Sequence, residues 1–400
     1  MDFHTKQIFA QQLEENLNNN ILPYWLEKMP DDINGGFYGR RDGNDTMIEG
    51  ADKGAIMNAR ILWTFSAAYI ATGRADCLEA AKRAKDYIVE HFIDKENGGV
   101  FWALNADGTV ADDKKQFYAI AFTIYGLAEY YRACGDESAL DFAIALFRSI
   151  EKHSRDRIKG GYREAATRNW EPIADMRLSE KDENFSKTMN THLHILEAYT
   201  ALLRVWRTEE SIEATRYALE IILDRIVDKT NGHLGLFFDD DWNRMDGEKS
   251  YGHDIEASWL MLEAAEVIGD GDLYTRTLAA TRRIADAALE GLCCDGSMVY
   301  ERHRNGSYDN EKHWWVQAEA VIGQAYLSRF HGIESGFEGA WRTWSYIREN
   351  LVDSENGEWY WSRMPDGSIN TREDKAGFWK CPYHNGRMCM ETLRVLKDEL

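Results

Sequence analysis

Apolar residues recur at helical spacing in twelve stretches of the chain, and two kinds of polar connection alternate between them. Short connections contain glycine and an acidic or hydroxyl residue, which predicts that one helix ends and the next is capped. Long connections of roughly 20 to 30 residues carry glycine and β-rich pieces, which predict hairpins or irregular loops. The predicted helices span residues 4–28, 52–72, 74–91, 113–133, 136–152, 184–206, 208–227, 252–268, 270–289, 312–330, 333–351 and 379–398.

A glycine-marked loop precedes an apolar helix six times, at intervals of about 60 residues, which predicts a repeat architecture. The even-numbered helices are the more apolar, so we expect them to form an inner ring. This predicts an all-α (α/α)6 barrel, one domain over residues 1–400, with the long loops and short β-hairpins at one end. An open α-solenoid is the alternative, but it would need polar end caps. The markers are NGGF at Asn34, NGGVFW at Asn97, KGGYRE at Lys159, NGHLGLFF at Asn231, CDGSMVY at Cys294 and NGEWYW at Asn356.

Composition narrows the possible partners. The net charge of −21 argues against nucleic acid and anionic membranes, because both would need basic patches. No apolar run is long enough to span a bilayer, and the acidic N-terminus lacks the features of a signal peptide. The 6 cysteines have no regular spacing, so we expect free thiols in a reducing cytoplasm. As a separate expectation, the protein is a monomer or a weak homodimer.

The openings of the even-numbered helices hold most of the residues suited to chemistry. Any one of them alone is more often structural, but in a closed ring all six openings converge on one cavity. Histidines from three different helices would then meet there. The candidates, opening by opening, are Asn58 and Arg60; Tyr118; Asn190, His192 and His194; His253, Asp254 and Glu256; His313, Trp314, Trp315, Gln317 and Glu319; and Trp379, His384, Asn385 and Arg387.

Helical spacing selects among these candidates. Asn190 and His194 are four residues apart and share a helix face, so we predict that His194 points inward. His192 lies on another face and is expected to be structural. His253 and Glu256 are three residues apart, so Glu256 is expected to orient the His253 imidazole and fix its tautomer.

The sequence offers little support for a metal site, a phosphate-binding loop or a serine hydrolase. Cys381, His384 and Cys389 offer three ligands but match no standard zinc spacing, so no metal site is predicted. The glycines form neither a P-loop nor a dinucleotide-binding motif, and no GxSxG elbow occurs.

The candidate set fits work on a carbohydrate. Apolar sugar faces stack on indole rings, and 14 tryptophans are many for this length. In the tenth helix Trp315 and Glu319 share a face, whereas Trp314 is expected to pack. Inverting a carbon next to a carbonyl requires one group to remove a proton and another to return it to the opposite face, for which histidines are suited. The enediolate between these steps needs Arg, Asn and helix N-termini nearby.

Six stretches also carry a family resemblance: DKGAIMNARILWTFSAAY, KQFYAIAFTIYGLAEYY, MNTHLHILEAYT, YGHDIEASWLMLEAA, WWVQAEA and FWKCPYHNGRMCMET. In these stretches the chain resembles the N-acylglucosamine 2-epimerase superfamily, and within it the cellobiose 2-epimerases, over essentially its full length. The resemblance implies an (α/α)6 barrel that epimerises C2 of the reducing-end sugar in β-1,4-linked disaccharides, with no cofactor. Cellobiose would become glucosyl-mannose, and mannobiose would become mannosyl-glucose.

The resemblance also implies roles for individual residues. His253 and His384 would be the acid/base pair at C2, and His384 would help to open the pyranose ring. His194 would hydrogen-bond the O1/O5 region of the sugar and assist ring opening. Arg60 and Asn190 would bind the enediolate oxygens.

Further residues would shape the site and hold the second sugar. Either Trp361 or Trp359, in the NGEWYW loop, would stack on the non-reducing sugar. The residues that would shape and orient the site are Tyr118, Glu256, Trp315, Glu319 and Trp379.

Four alternatives stay open at this point. Two of them belong to the same superfamily: an aldose–ketose isomerase of the mannose type and an N-acylglucosamine 2-epimerase. The isomerase would act on a monosaccharide, whereas the NGEWYW loop favours a disaccharide substrate. A non-enzymatic sugar-binding protein would have no need of converging histidines. More distant is an (α/α)6 glycoside hydrolase using paired carboxylates, drawn from Asp239, Asp240, Asp241, Glu256 and Glu319.

Overall fold

The computed structural model describes residues 1–180 and 182–397. Helices form in all twelve predicted stretches; α1, a π-helical turn at Leu17–Ile21 and α2 together make up the first of them. The predicted end of the last helix, residue 398, lies outside the described residues. The α-helices are α1 Phe3–Asn16, α2 Leu22–Glu27, α3 Ala55–Thr72, α4 Ala75–Tyr87, α5 Phe117–Cys134, α6 Glu137–His153, α7 Met189–Val205, α8 Glu209–Ile221, α9 Tyr251–Ile268, α10 Gly271–Ala288, α11 Trp314–His331, α12 Gly336–Asn350 and α13 Tyr383–Lys397.

Six helices form a closed inner ring. Helices α3, α5, α7, α9, α11 and α13 each contact the next, and α13 contacts α3. The first fourteen residues of α3, Ala55–Ala68, are all buried, as expected of a helix that is surrounded on every side. The outer helices bury one face only, as α6 does. The ring closes, so the predicted (α/α)6 barrel is confirmed and the open solenoid is wrong. None of the helices within the described residues is long and apolar enough to cross a bilayer.

Each inner helix packs against the outer helix that follows it, and α13 packs against α1 at the beginning of the chain. Four of the turns that join an inner helix to the next outer helix begin with a glycine whose φ lies in the left-handed region. Glycine adopts this conformation without strain because it has no Cβ. These glycines are Gly73, Gly135, Gly269 and Gly332.

Short strands join neighbouring repeats at the other end of the barrel. A two-residue strand stands directly before five of the inner helices, and each pairs antiparallel with a strand in the long loop before the next inner helix. The pairs are β1 Lys53–Gly54 with β2 Ala103–Leu104, β4 Lys115–Gln116 with β5 Ala165–Ala166, β6 Lys187–Thr188 with β7 Phe237–Phe238, β8 Lys249–Ser250 with β9 Glu301–Arg302, and β11 Lys312–His313 with β12 Ser362–Arg363; β3 Val110–Asp112 extends β2, and β10 Tyr308–Asp309 extends β9.

These strands explain the errors in the predicted boundaries. Helices α3, α5, α7 and α11 begin later than predicted, because a strand of two residues is too short to show a period of its own. Helix α13 also begins later, at Tyr383, directly after Pro382. Proline is accepted just before a helix or in its first turn but not in its interior.

A buried ion pair recurs in the loops. Lys53 donates to Asp31 at 2.8 Å, and both side chains are 1% exposed. Asp31 also accepts the backbone N–H of Ile33 and of Asn34, so the pair ties the glycine loop to the strand before the helix. The equivalent pairs are Lys115–Asp94, Lys187–Asp156 and Lys375–Asp353. In the fourth repeat Lys249 pairs with Glu290 instead, and in the fifth Lys312 contacts the Sγ of Cys293.

We predict that Lys53→Met lowers the free energy of unfolding by about 3 to 5 kcal/mol, because it leaves the Asp31 carboxylate buried without its cation. Urea unfolding at neutral pH measures this loss, and Asp31→Asn in the same chain should recover part of it. The control is Lys82→Met, whose partner Asp86 is exposed and whose loss should cost about 1 kcal/mol or less. Equal costs for the two lysine variants would contradict the prediction.

Candidate active site

The starts of the inner helices surround a cavity of about 440 Å³, which opens into an outer space of about 670 Å³. The inner cavity is lined by all but one of the predicted site residues, and the remaining one, Glu319, lies behind His384. The predicted residues that line it are His194, His253, His384, Arg60, Tyr118, Asn190, Glu256, Trp315, Trp361 and Trp379.

His384 lies in the first turn of α13 and is oriented by a carboxylate from α11. Its Nδ1 is 2.7 Å from Glu319 Oε1, both within the buried interior. This bond places the Nδ1–H toward Glu319 and leaves Nε2 with its lone pair. Burial lowers the pKa of His384 to about 3, in spite of the neighbouring carboxylate. The imidazole is therefore neutral at physiological pH and able to accept a proton.

His253 lies at the start of α9, and its predicted partner is wrong. Its Nδ1 is 2.7 Å from Ser250 Oγ, not from Glu256. Glu256 lies one turn deeper, where it accepts a hydrogen bond from Arg387 at 2.7 Å. The three-residue spacing puts His253 and Glu256 on one helix face, but the guanidinium of Arg387 on α13 determines where the Glu256 carboxylate points. Burial lowers the pKa of His253 to about 3, so this imidazole is neutral as well.

His194 of α7 forms a second histidine–carboxylate pair. Its Nδ1 is 2.7 Å from Glu197 Oε2, and both side chains are 2% exposed. Burial lowers the pKa of His194 below its ordinary value. His192 faces away from the cavity: it accepts the backbone N–H of Tyr162 at Nε2, and its Nδ1 bonds Thr188 O.

Arg387 connects the carboxylates behind these histidines. Its side chain is fully buried, and its Nη2 donates to Glu256 at 2.7 Å and to Glu319 at 2.6 Å. Its Nη1 contacts Glu197 and the hydroxyl of Tyr383. One guanidinium thus fixes three acidic side chains from α7, α9 and α11.

The charge state of this cluster follows from burial and from Arg387. Burial acts to raise the pKa of Glu197, but Arg387 and the bond to His194 lower it to about 2. Glu319 is likewise held below its ordinary pKa by Arg387 and His384, against the effect of burial. Burial and the nearby charge of Glu319 raise the pKa of Glu256 above its ordinary value. Glu319 and Glu197 are therefore the anionic members, and Glu256 retains a proton most readily.

Arg60 of α3 faces the cavity from the other side of the α3–α13 contact. Its Nη2 donates to the Tyr118 hydroxyl at 2.9 Å, and its guanidinium carbon lies 4.2 Å from the centre of the Phe122 ring. Arg60 Nε and Asn190 Oδ1 are buried and have no hydrogen-bond partner among the described residues. Buried polar atoms of this kind are rare, and here they are available to a ligand.

Tryptophans supply the apolar walls. The Trp315 ring lies 4.8 Å from that of His253 and 5.7 Å from that of His384, so one indole contacts both imidazoles. Of the two tryptophans in the NGEWYW loop, Trp361 lines the cavity. Trp359 is fully buried and donates its Nε1–H to Asn16 at 3.1 Å, which gives it a structural role.

Several residues of the site were missed in the sequence. Glu197 lies three residues after His194, the same spacing that paired His253 with Glu256, so this signal could have found it. Tyr300 ends the CDGSMVY marker and stacks on His313 at 4.2 Å, and both line the cavity. The third long loop, which shows no periodicity, adds Leu178, Ser179, Glu180 and Asp182.

Glu256, Glu319 and His384 place their ligand atoms within 4.8 Å of one another. A cation bound there would compete with Arg387, which already bonds both carboxylates, and with the proton on His384 Nδ1. The geometry therefore fits an ion-pair cluster built around the guanidinium rather than a metal centre.

Comparison with known proteins agrees with this geometry. The sequence profile of the N-acylglucosamine 2-epimerase (GlcNAc 2-epimerase) family matches residues 36–386. The chain belongs to this family. The matched range of the epimerase family takes in all six inner-helix openings, from Lys53 before α3 to His384 in α13.

Individual members of the epimerase family are similar over the whole chain. A cellobiose 2-epimerase of Bacteroides fragilis is 53% identical over 389 residues, which covers 97% of this chain and 99% of the relative. The structure of a cellobiose 2-epimerase from Bacillus thermoamylovorans B4167 gives a TM-score of 0.93 at 38% identity, covering 97% of this chain and 99% of that one. A D-mannose isomerase structure, 18% identical with a TM-score of 0.83 over 97% of each chain, shares the fold.

The low pKa of His253 makes stability depend on pH. Below about 6.5, the ordinary histidine pKa, the unfolded chain binds a proton that the folded chain does not take up until about pH 3. The folded state therefore loses stability as the pH falls through this window. We predict that His253→Asn reduces this loss by up to about 1.4 kcal/mol per pH unit.

Urea unfolding of the native chain and the variant between pH 6.5 and pH 4 measures the two slopes. His4→Asn, at an exposed position of α1, is the control and should leave the slope unchanged. Parallel curves for His253→Asn and the native chain would show that His253 does not have a depressed pKa.

Proposed function

We propose that the protein is a disaccharide 2-epimerase that interconverts cellobiose and glucosyl-mannose without a cofactor, and that it also accepts mannobiose. The observation that carries the proposal is the pair of neutral imidazoles, His253 and His384, that flank the Trp315 ring. The similarity to cellobiose 2-epimerases over almost the whole chain supports the same substrate class.

The first step in this proposal is opening of the reducing-end ring. His384 and His194 are each oriented at Nδ1 by a carboxylate. One of them accepts the O1 proton at Nε2 and delivers it to O5 as the C1–O5 bond breaks. The neighbouring carboxylate stabilises the imidazolium that forms for a moment, and it does so strongly because the cluster is buried. Ring opening produces an aldehyde at C1, which acidifies the C2–H bond.

The second step is proton exchange at C2. One of His253 and His384 removes the C2 proton, and the electron pair moves into an enediolate spanning C1 and C2. Arg60 and the side-chain amide of Asn190, both at the cavity, stabilise its oxygens. The first histidine then releases the C2 proton to solvent, and the other histidine takes up a proton from solvent and delivers it to the opposite face of C2, so protons balance and no net oxidation or reduction occurs. In the reverse direction the two histidines exchange the roles of acid and base.

The alternatives differ in what the site must hold. A mannose-type isomerase uses the same enediolate but returns the proton to C1, giving a ketose. The outer space beyond the inner cavity, bordered by Trp361, favours a second sugar and so a disaccharide. An N-acylglucosamine 2-epimerase would instead need space for an acetamido group, and a product assay separates it.

The glycoside hydrolase is disfavoured by the placement of its carboxylates. Asp239, Asp240 and Asp241 are not among the described residues that line the inner or outer cavity. Glu256 and Glu319 are both held by Arg387, so they do not face each other across a glycosidic bond.

A cytoplasmic location is part of the proposal. It is supported by six cysteines that are all free thiols, as expected in a reducing compartment.

Isotope exchange tests the mechanism directly. With cellobiose in D2O we expect one deuterium at C2 of the product, and His253→Ala and His384→Ala should each lower kcat by roughly 10³-fold or more. His331→Ala, at the end of α11 away from the cavity, is the control and should keep full turnover. Epimer formed without deuterium at C2 would exclude proton exchange with solvent, and full activity in either histidine variant would remove that residue from the mechanism.

Trp361→Ala tests where the non-reducing sugar binds. We expect the KM for cellobiose to rise roughly tenfold, equivalent to about 1.4 kcal/mol, with a smaller change in kcat. The reason is that stacking on the distant sugar contributes equally to the ground state and the transition state. Trp359→Phe, in the same loop but buried away from the cavity, should leave KM unchanged. An unchanged KM in Trp361→Ala would place the second sugar elsewhere.

A further inference from the structure

We propose that the protein has a second binding site, for a neutral sugar, at the opposite end of the barrel. There the C-terminal halves of the inner helices surround a cavity of about 690 Å³, larger than the inner cavity of the candidate active site. We name it the lower cavity; its walls include Ala67 and Ile70 of α3, Ala201 of α7 and Met390 of α13. The proposal goes beyond the proposed function, because no step of C2 epimerisation uses this space.

The charges around the lower cavity compensate one another. Five acidic and five basic side chains line it. Arg387 is already paired with the active-site carboxylates, and three of the remaining basic side chains are paired with acidic ones in the lining, so a neutral ligand fits this cavity better than an ion. Carboxylates and guanidinia that are held in ion pairs also present hydrogen-bond acceptors and donors that sugar hydroxyls can match. The pairs are Glu129–Arg132 at 2.6 Å, Glu263–Arg204 at 2.7 Å and Glu391–Arg394 at 2.9 Å.

The floor of the lower cavity holds polar groups without protein partners. The rings of Trp63 and Tyr125 stack there at 5.0 Å with an interplanar angle of 10°. Trp63 is 5% exposed and Tyr125 is 8% exposed, and among the described residues neither the Trp63 Nε1–H nor the Tyr125 hydroxyl has a hydrogen-bond partner. The Nε of Arg387, which borders the same cavity and is fully buried, has no partner among the described residues either. Such groups are uncommon unless a ligand or water satisfies them.

The unpartnered groups match the chemistry of a sugar. Indole N–H, guanidinium N–H and phenol O–H are donors, and burial keeps the pKa of Tyr125 well above its ordinary value, so its hydroxyl keeps the proton. A sugar supplies acceptor oxygens to them and places its C–H faces against Ile70, whose side chain is 42% exposed at the mouth. A hydrocarbon would leave the donors unsatisfied, and an ion would lack a countercharge.

Indole N–H resonances distinguish the two cavities. We would titrate 15N-labelled His384→Ala protein, in which turnover is stopped, with cellobiose. The indole signal that disappears in Trp63→Phe, made in that background, belongs to Trp63 and reports on the lower cavity. The signal that disappears in Trp315→Phe belongs to Trp315 and reports on the active-site cavity. We expect the Trp63 signal to shift with a saturation midpoint of its own, different from that of Trp315.

Two tyrosine variants on α5 complete the test. Tyr125→Phe removes one hydroxyl from the floor and should raise the Trp63 midpoint at least fivefold without moving that of Trp315. Tyr130→Phe, on the same helix but outside the cavity lining, should change neither. The proposal is overturned if the Trp63 signal does not shift at all, or if its midpoint equals that of Trp315 and rises with it in Trp361→Ala. Failure of cellobiose to epimerise would not affect this readout, since it measures binding alone.

Discussion

The contact between α13 and α3 is the one on which the rest of the structure depends. It joins the last inner helix to the first and converts a row of helical pairs into a ring. The candidate site spans this seam: Arg60 on α3 reaches the backbone of Trp379 at 3.4 Å, and its guanidinium lies 4.8 Å from the Tyr383 ring of α13. Without closure, the predicted enediolate-binding arginine and His384 would belong to different surfaces. The beginning of the chain secures the seam, since Trp25 donates to Glu358 at 2.6 Å across 333 positions of sequence.

The interior of the ring is organised by one guanidinium and the three carboxylates that it bonds. Arg387 is held by Glu197, Glu256 and Glu319, and two of these carboxylates orient a histidine each. Because the cluster is buried, each charge in it interacts strongly with its neighbours. A proton that arrives on one imidazole therefore meets a carboxylate already fixed in place, with little reorganisation required. Imidazoles that are neutral at rest, with an anionic carboxylate behind His384 and another behind His194, suit a reversible proton exchange.

The sequence was sufficient for the fold and for most of the cavity lining, because both rest on a local period. Apolar residues every three to four positions mark all twelve helices, and polar residues at six helix openings converge once the ring is assumed. What could not be predicted depends on contacts across the ring. Glu256 was paired with His253 by spacing alone, whereas its orientation is set by Arg387, 131 positions away. Glu197 is local to His194, three positions away, but its contacts with Tyr383 and Arg387 span 186 and 190 positions and form only when the ring closes.

The lysine–aspartate pairs have a consequence for how such a protein diverges. The two residues of a pair are separated by 22, 21 and 22 positions in the first, second and sixth repeats, but by 31 in the third. Each pair fixes the end of a glycine loop to the start of a helix, so the segment between them can lengthen without moving the histidines. In the third repeat the longer segment contains Leu178 and Glu180, which border the sugar cavity. Insertions in these tethered segments therefore offer a route by which substrate range evolves while the proton-transfer frame stays fixed.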